Sequence, residues 1–242
     1  MGNKETTVYA ASPDKLINNV TSQKKVPFAV VEAYKSIRTN LIAILEKEHK
    51  KIFTVSSPNA SEGKSTTSIN TAISLSQVNK KVILVDTDAH RPSIHNKLKL
   101  NNEKGLMTII SGDSTFEESV IKYNPFLDVL TVGPIPQNAT EAFSTPEFDA
   151  LLDDIREKYD YVILDAPPVN LLSDALVIGQ KSDGMVLIIR AGITTHESLH
   201  KALSSAEVLD INILGVILNG SEYGTKRYYK KYYNSDNGKY KY

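Results

Sequence analysis

The sequence predicts an α/β protein with a single, doubly wound, mostly parallel sheet flanked by helices. Short apolar runs alternate with amphipathic stretches along most of the chain. Several of these runs lack polar residues at alternate positions, which is typical of strands that are buried on both faces. No segment rich in Pro, Gly or Ser divides the core, so the 242 residues favour one large domain over two small ones.

Each element of this fold corresponds to a stretch of sequence. Apolar runs predict six strands, at 52–55, 82–85, 127–132, 161–164, 185–189 and 213–218. Helical periodicity predicts helices at about 28–48, 65–78, 145–158, 173–181 and 195–209. The predicted organisation is a polar arm at 1–27, a core domain at 28–222 and a tyrosine-rich basic tail at 223–242.

Composition narrows the function classes. The 28 basic and 28 acidic side chains give a net charge of zero, which argues against nucleic acid as a partner. Without cysteine the chain has no disulfide, thiolate metal site or thiol nucleophile. It has no apolar run of 18 residues and no apolar N-terminal stretch of signal-peptide length, so we expect a cytoplasmic protein.

A phosphate-binding loop is predicted between the first strand and the following helix. The segment 56–66 reads SSPNASEGKST, with Pro58 in place of the first Gly of the general pattern. Amides at a helix N-terminus cradle phosphates, while Lys64 would reach the β- and γ-phosphates and Ser65 would help hold Mg²⁺. The alternative is an ordinary strand-to-helix turn. The predicted nucleotide-binding residues here are Ser61, Glu62, Gly63, Lys64, Ser65 and Thr66.

Two later strands each end in an aspartate. Asp86 follows the run at 82–85 and Asp165 follows the run at 161–164. Both would lie at the carboxyl edge of the sheet, where open α/β sheets bind ligands. A carboxylate beside a phosphate loop can hold Mg²⁺, whereas the alternative for each residue is to cap a turn. Three such sites in order are hard to obtain by accident, and together they predict a P-loop NTPase fold that binds nucleotide phosphates with Mg²⁺.

With these motifs the chain resembles the bacterial tyrosine kinases of capsule and exopolysaccharide operons, relatives of the deviant P-loop ATPases of cell division and plasmid partition. The resemblance covers roughly residues 28 to 242. It rests on Gly63-Lys64-Ser65-Thr66, on Val85-Asp86-Thr87-Asp88 with Arg91-Pro92 behind it, and on Leu164-Asp165-Ala166-Pro167-Pro168. The segment at 133–138 and the terminal tyrosines favour the kinases over the partition proteins.

The resemblance implies a role for each matching residue. Lys64 becomes the phosphate-binding lysine, and Ser65, Asp86 and Asp165 become the Mg²⁺ shell. Asp88 is then the candidate that orients or deprotonates the attacking phenol. The implied catalytic set is therefore Lys64, Asp86, Asp88 and Asp165.

The resemblance also assigns the tail. Seven of the 12 tyrosines lie at 223–242, with six basic residues against one acid. With no Val, Ile, Leu, Met or Phe after Leu218, we expect this segment to be flexible. In the family, such clustered tyrosines are phosphorylated by a neighbouring subunit. The implied acceptors are Tyr228, Tyr229, Tyr232, Tyr233, Tyr240 and Tyr242; the alternatives are a solvated tail without chemistry or an anionic-membrane contact.

A polar stripe on the first helix resembles the family's ring-forming signature. Glu32, Lys35 and Arg38 recur at every third position, and Lys35 stands where the family has arginine. The loss of the bidentate guanidinium predicts that subunits form a weaker ring. An octamer is one size that such a ring could have. The alternative is a solvated helix face.

Three further positions bear on the site. Ser61 stands where the family has a loop glycine, and His90 where it has an arginine that adjacent Arg91 could replace. Asn219 matches a position that relatives use near the nucleotide base, although Asn-Gly is also a good turn.

The implied function is an ATP- and Mg²⁺-dependent protein-tyrosine autokinase that phosphorylates its tail in trans and regulates capsular or exopolysaccharide synthesis and export. The implied partners are a homo-oligomeric ring, a separate membrane activator or polysaccharide co-polymerase that recruits the chain to the inner face of the membrane, a cognate phosphotyrosine phosphatase and other protein substrates. The alternatives are a partition-like ATPase switch without tyrosine phosphorylation and a nucleotide-binding scaffold without turnover.

Overall fold

A computed structural model describes residues 28–137 and 139–220. The strands there are β1 Ile52–Ser56, β2 Val82–Asp86, β3 Ile121–Asn124, β4 Leu127–Leu130, β5 Tyr161–Asp165, β6 Met185–Arg190 and β7 Ile213–Asn219. The helices there are α1 Phe28–Lys47, α2 Lys64–Ser76, α3 Ile94–Leu98, α4 Leu106–Ile110, α5 Phe116–Ser119, α6 Ala139–Ala142, α7 Pro146–Lys158, α8 Asp174–Gln180 and α9 His196–Val208. The predicted arm at 1–27 and the tail at 223–242 lie outside the described residues.

The strands form one sheet in the order β3-β4-β2-β5-β1-β6-β7. Every neighbouring pair is parallel except β3 and β4, so the predicted mostly parallel, doubly wound sheet is confirmed. All six predicted strands are present, whereas β3 was not predicted. Its sequence, Ile-Lys-Tyr-Asn, carries no apolar run because it forms the edge of the sheet.

The sheet separates two apolar cores. Along β1, Ile52 belongs to one core and Phe53 to the other, and both side chains are fully buried. Neighbouring residues of a strand point to opposite faces, so a strand covered on both sides is apolar throughout. Helices α1 and α2 contribute Leu41, Leu45 and Ile69 to the core that contains Phe53. The two cores confirm the prediction that strands with continuous apolar runs are buried on both faces.

The five predicted helices are all present. Helix α7 begins at Pro146, after Thr145, whose hydroxyl accepts a hydrogen bond from the amide of Phe148. Thr195 caps α9 through the amide of Ser198 in the same way. Helices α3 to α6 have only four or five residues each, too few to show a helical period, and were not predicted. Within the described ranges, no helix combines the length and hydropathy that a membrane crossing requires.

The topology brings the predicted motifs to one edge. Strand β5 lies between β1 and β2, and the register pairs Asp86 with Asp165 and Val55 with Asp165. Because all three strands are parallel, their carboxyl ends meet beside the loop that leaves β1.

Candidate active site

The loop between β1 and α2 contains two residues with left-handed backbone. Gly63 precedes α2 with φ of +99°, and a Cβ built there would lie 2.1 Å from Nδ2 of Asn219. Only glycine meets both conditions without strain. Ser61 has φ of +64°, at the position where a glycine was expected from the family pattern. A left-handed conformation costs a serine roughly 1–2 kcal/mol, so surrounding contacts must hold it.

A pocket of about 230 Å³ opens over the first turn of α2. Its walls come from the loop, the start of α2, the segment after β2 and the segment after β5: Ala60, Ser61, Gly63, Lys64, Ser65, Thr66, Asp88, Arg91, Ser93, Lys97 and Pro168. The structure thus brings together five of the six predicted nucleotide-binding loop residues. The unpaired amides of a helix N-terminus and the helix dipole favour an anion at this point.

The sixth residue, Glu62, has a different role. Its side chain is fully buried, and its carboxylate accepts hydrogen bonds from the main-chain amide and the side-chain amide of Asn59, at 2.8 and 3.1 Å. The hydroxyl of Thr194 donates a third hydrogen bond, at 2.5 Å. The carboxylate of Glu62 therefore stabilises the loop from the protein interior and does not line the pocket.

Lys64 and Asp88 form an ion pair in the pocket wall. Nζ of Lys64 lies 2.6 Å from Oδ2 of Asp88, and their side chains are only 11% and 3% exposed. Burial works to lower the pKa of Lys64, but the charges of Asp165 and Asp88 outweigh it and raise that pKa. Lys64 is therefore a cation at neutral pH, as a phosphate ligand must be. The other oxygen of Asp88 accepts a hydrogen bond from the amide of Arg91, at 2.9 Å, which fixes the carboxylate.

Asp86 and Asp165 are both fully buried at the carboxyl edge of the sheet. Burial, together with the charge of Asp165, raises the pKa of Asp86 to about 8. Burial also raises the pKa of Asp165, while the Lys64 ammonium opposes that rise. Two adjacent buried carboxylates resist ionisation unless a cation shares the site.

The surroundings of these carboxylates fit Mg²⁺. Oδ1 of Asp165 accepts a hydrogen bond from Ser68 at 2.9 Å, and the nearby hydroxyl of Ser65 works to lower the pKa of Asp165. The other oxygen, Oδ2, is buried without a protein partner. The part of the chain that the structure describes holds no cluster of three or more His, Asp or Glu ligands. The two carboxylates of Asp86 and Asp165 fit Mg²⁺, since Mg²⁺ binds one or two carboxylates together with phosphate oxygens and water.

Three residues that the sequence did not single out as contacts of the loop lie next to it. Nη1 of Arg190 donates to the carbonyl of Ser61 at 3.0 Å, and Thr194 bonds to Glu62. Lys97, on α3, lines the pocket with Nζ 3.3 Å from the hydroxyl of Thr66. Arg190 ends β6 and Thr194 follows it, and β6 borders β1 in the sheet, so only the strand order could have revealed them.

Asn219 ends β7, and its side-chain amide donates to the main-chain carbonyl of Glu62 at 3.0 Å. The structure therefore places Asn219 against the phosphate loop, while a contact with the base stays a prediction. His90 pairs with Asp174 on α8, 3.0 Å away, whereas Arg91 lines the pocket. Whether Arg91 takes the place of the family's arginine stays a prediction.

The predicted ring-forming stripe makes contacts within the chain. Lys35 pairs with Glu32 at 2.7 Å on the surface of α1. Nη1 of Arg38 donates to the main-chain carbonyl of Ser74 at 2.9 Å and thereby ties α1 to α2. Ring formation stays a prediction, and the predicted phosphoacceptor tyrosines lie outside the described residues.

Comparison with known proteins identifies the family. A family model described as an AAA domain matches residues 50–208. Over 208 residues the chain is 36% identical to tyrosine-protein kinase YwqD of Bacillus subtilis, covering 85% of this chain and 87% of that relative. The chain belongs to the bacterial tyrosine kinases. As a member, this kinase transfers a phosphoryl group from a nucleoside triphosphate to tyrosine.

Solved structures agree with this assignment. The kinase domain of Escherichia coli tyrosine kinase ETK superimposes on this kinase with a TM-score of 0.75 and 29% identity, covering 88% of this chain and 79% of that one. The septum site-determining protein MinD of Pyrococcus horikoshii, complexed with Mg-ADP, reaches a TM-score of 0.60 at 21% identity over 71% of this chain and 72% of that one. That second likeness shows the P-loop fold alone.

Proposed function

We propose that this kinase uses ATP and Mg²⁺ to phosphorylate tyrosines in its own C-terminal tail, in trans, and that this autophosphorylation regulates capsular or exopolysaccharide synthesis and export. One observation carries the proposal. Lys64, Asp88, Asp86 and Asp165 meet at the carboxyl edge of the sheet, beside the N-terminus of α2. This arrangement supplies the charge neutralisation and positioning on which phosphoryl transfer depends.

The phosphates would bind to the first-turn amides of α2 and to the ammonium of Lys64. Mg²⁺, when bound, would neutralise phosphate charge, held by the hydroxyl of Ser65 and by Asp86 and Asp165. The unpartnered oxygen of Asp165 supports this assignment, because a buried acceptor without a donor is stabilised by a cation.

Asp88 would orient the phenol of the acceptor and accept its proton. The ion pair with Lys64 links its availability to phosphate binding, because an ammonium that moves toward a phosphate lengthens its 2.6 Å contact with Asp88. When Lys64 turns to the nucleotide, Oδ2 of Asp88 becomes free to accept a hydrogen bond from the tyrosine hydroxyl. The loose transition state needs little proton removal in advance, so positioning is the larger contribution of Asp88.

The tail tyrosines are better placed as acceptors than Tyr123, Tyr159 and Tyr161 of the core. Tyr123 is only 9% exposed, the hydroxyl of Tyr159 is bonded to Asp128 at 2.6 Å, and that of Tyr161 is bonded to a glutamate of α1. The proposed acceptors instead follow β7, whose last residue contacts the phosphate loop. They are Tyr228, Tyr229, Tyr232, Tyr233, Tyr240 and Tyr242.

The proposed partners follow from membership of the family. Subunits would assemble into a ring through Glu32, Lys35 and Arg38. A separate membrane protein, of the activator or polysaccharide co-polymerase type, would recruit the cytoplasmic kinase to the inner face of the membrane and switch it on. A phosphotyrosine phosphatase would reset the tail, and other proteins would serve as further substrates.

Intact-mass analysis with tyrosine-site mapping tests the proposal. The protein is dephosphorylated, incubated with Mg·ATP, and compared with Lys64→Met, with a variant that ends at Tyr223, and with Lys158→Met as a matched control on α7. We expect phosphate on tail tyrosines of the wild type and of Lys158→Met only. Phosphate release without phosphotyrosine would favour an ATPase switch, and nucleotide binding with neither product would favour a scaffold.

A further inference from the structure

Three side chains from the last third of the described chain hold two consecutive residues of the phosphate loop. Arg190 donates to the carbonyl of Ser61 at 3.0 Å, and Asn219 donates to the carbonyl of Glu62 at 3.0 Å. The hydroxyl of Thr194 donates to the carboxylate of Glu62 at 2.5 Å. Main chain and side chain of the same short segment are thus fixed from β6, β7 and the β6–α9 loop.

The hydroxyl of Thr194 can take only one orientation in this network. Its oxygen accepts a hydrogen bond from the amide of Arg190 at 2.8 Å, so its hydrogen is directed to Glu62. Glu62 is fully buried, and a buried carboxylate is unstable unless donors surround it. Removing the hydroxyl would leave the carboxylate with the two amide donors of Asn59.

The same part of the chain also contacts the beginning of the loop. The hydroxyl of Ser198, in the first turn of α9, donates to the side-chain oxygen of Asn59 at 2.9 Å. The amide of Asn170 in turn donates to Ser198 at 3.0 Å. Ser198 of α9 and Thr194 of the β6–α9 loop therefore hold the two ends of the stretch from Asn59 to Glu62.

Ser61 explains why such support is needed. Its φ of +64° is a conformation that serine avoids and glycine adopts freely. The guanidinium of Arg190 is bonded to the carbonyl of this strained residue. If that contact is lost, the serine is free to return to a right-handed conformation, and the amides of Gly63 and Lys64 change direction.

We infer that Arg190 and Thr194 are positioning residues of the phosphate loop. They act through Ser61 and Glu62, and they aim the amides at the start of α2 toward the phosphates of the nucleotide. Neither side chain lines the pocket, so their effect on binding is indirect. The inference rests on the proposed function of this loop in ATP binding.

The test measures ADP affinity and the ATP KM and kcat of autophosphorylation for Thr194→Val, Thr194→Ser and Arg190→Met. Valine keeps the shape of threonine without its hydroxyl, and serine keeps the hydroxyl. For Thr194→Val we expect about a tenfold loss of ADP affinity and a matching rise in KM, since a hydrogen bond to a charged group is lost. The change in kcat should be smaller, and Thr194→Ser should bind ADP within about twofold of the wild type.

Arg190→Met keeps the test decisive if Thr194→Val fails to fold, because Arg190 is solvent-exposed and its main chain is unaffected. Arg190→Met should also weaken ADP binding clearly while it lowers the melting temperature only slightly. Lys64→Met distinguishes a failure of the proposed function from a failure of the positioning role of Arg190 and Thr194. If Lys64→Met binds ADP like the wild type, the proposed function fails. If it binds weakly while Thr194→Val and Arg190→Met keep wild-type affinity, or if Thr194→Ser does not restore it, the inference about positioning is overturned.

Discussion

Substitution of Gly63 by alanine tests two requirements of the phosphate loop. One is the left-handed backbone at this position, and the other is the close approach of the Asn219 side chain. Alanine at φ of +99° adopts an unfavourable conformation, and its Cβ would lie 2.1 Å from Nδ2 of Asn219. A contact this short cannot persist, so the side chain of Asn219 must move away. It then loses its hydrogen bond to the carbonyl of Glu62.

The magnitude follows from these two effects. The backbone strain costs about 1–3 kcal/mol. The lost hydrogen bond costs about 1 kcal/mol more. Gly63→Ala should therefore lower the free energy of unfolding by roughly 2–4 kcal/mol and weaken ADP binding, because the loop carbonyl and amides shift together.

The assay combines urea unfolding with ADP titration for Gly63→Ala, Asn219→Ala and the double variant. In the Asn219→Ala background the steric conflict is absent, so the substitution at Gly63 should cost about 1 kcal/mol less than in the wild type. A Gly63→Ala protein with wild-type stability and ADP affinity would refute the reasoning. An equal cost in both backgrounds would refute the packing part of it.

Three further predictions concern stability. Ser61→Gly should raise the free energy of unfolding by roughly 0.5 kcal/mol in urea titrations, because relief of left-handed strain slightly exceeds the entropy cost of glycine. Asp183→Asn should lower it by about 1–3 kcal/mol at pH 7, because Asp183 accepts hydrogen bonds from Arg156 and from the main-chain amides of Lys51 and Ile52. Arg38→Ala should lower it by about 1 kcal/mol, through loss of the bond to Ser74, and should reduce oligomer size in light scattering.

The Asp183 prediction also has a pH dependence. Burial works to raise the pKa of Asp183, but the donors, Arg156 foremost, outweigh it and lower that pKa. A lowered carboxyl pKa stabilises the fold above the unfolded pKa of about 4 and loses this contribution as pH falls through the folded value. The difference between wild type and Asp183→Asn should therefore shrink below about pH 4.

Each of these predictions has a contradicting result. A Ser61→Gly protein less stable than the wild type would mean that the loop does not strain the serine. A constant Asp183→Asn difference between pH 7 and pH 3 would mean that the charge of the carboxylate is unimportant. An Arg38→Ala protein with unchanged stability and unchanged oligomer size would remove both roles given to that residue.

The fold was predictable because the central strands are buried on both faces, and such burial is visible in the sequence. Val82–Asp86 and Tyr161–Asp165 are covered on both faces, and continuous apolar runs are the direct result. The edge strand Ile121–Asn124 is different, because partial exposure removes that signal. Its place depends on antiparallel pairing with Leu127–Leu130, which is a property of the folded sheet.

The site was predictable where a local motif carries the chemistry. Lys64 and Asp88 are brought together because each follows a central strand of a parallel sheet. Arg190 and Thr194 belong to no motif, and they reach the loop only because β6 lies beside β1. The burial of Glu62 was also missed, because its position in the motif indicates the pocket and gives no sign of the donors below it.

A complementation experiment tests the central claim most directly. The chain from Asn219 to Tyr228 could span about 30 Å, so length alone allows a tail to reach its own site. A variant that ends at Tyr223 keeps the site without the acceptors, and Lys64→Met keeps the acceptors without the lysine. The measurement is intact mass of each chain after both are mixed with Mg·ATP. We predict phosphate on the tail of Lys64→Met in the mixture and none on Lys64→Met alone. An unmodified tail in the mixture, under conditions in which the wild type phosphorylates itself, would contradict transfer between subunits.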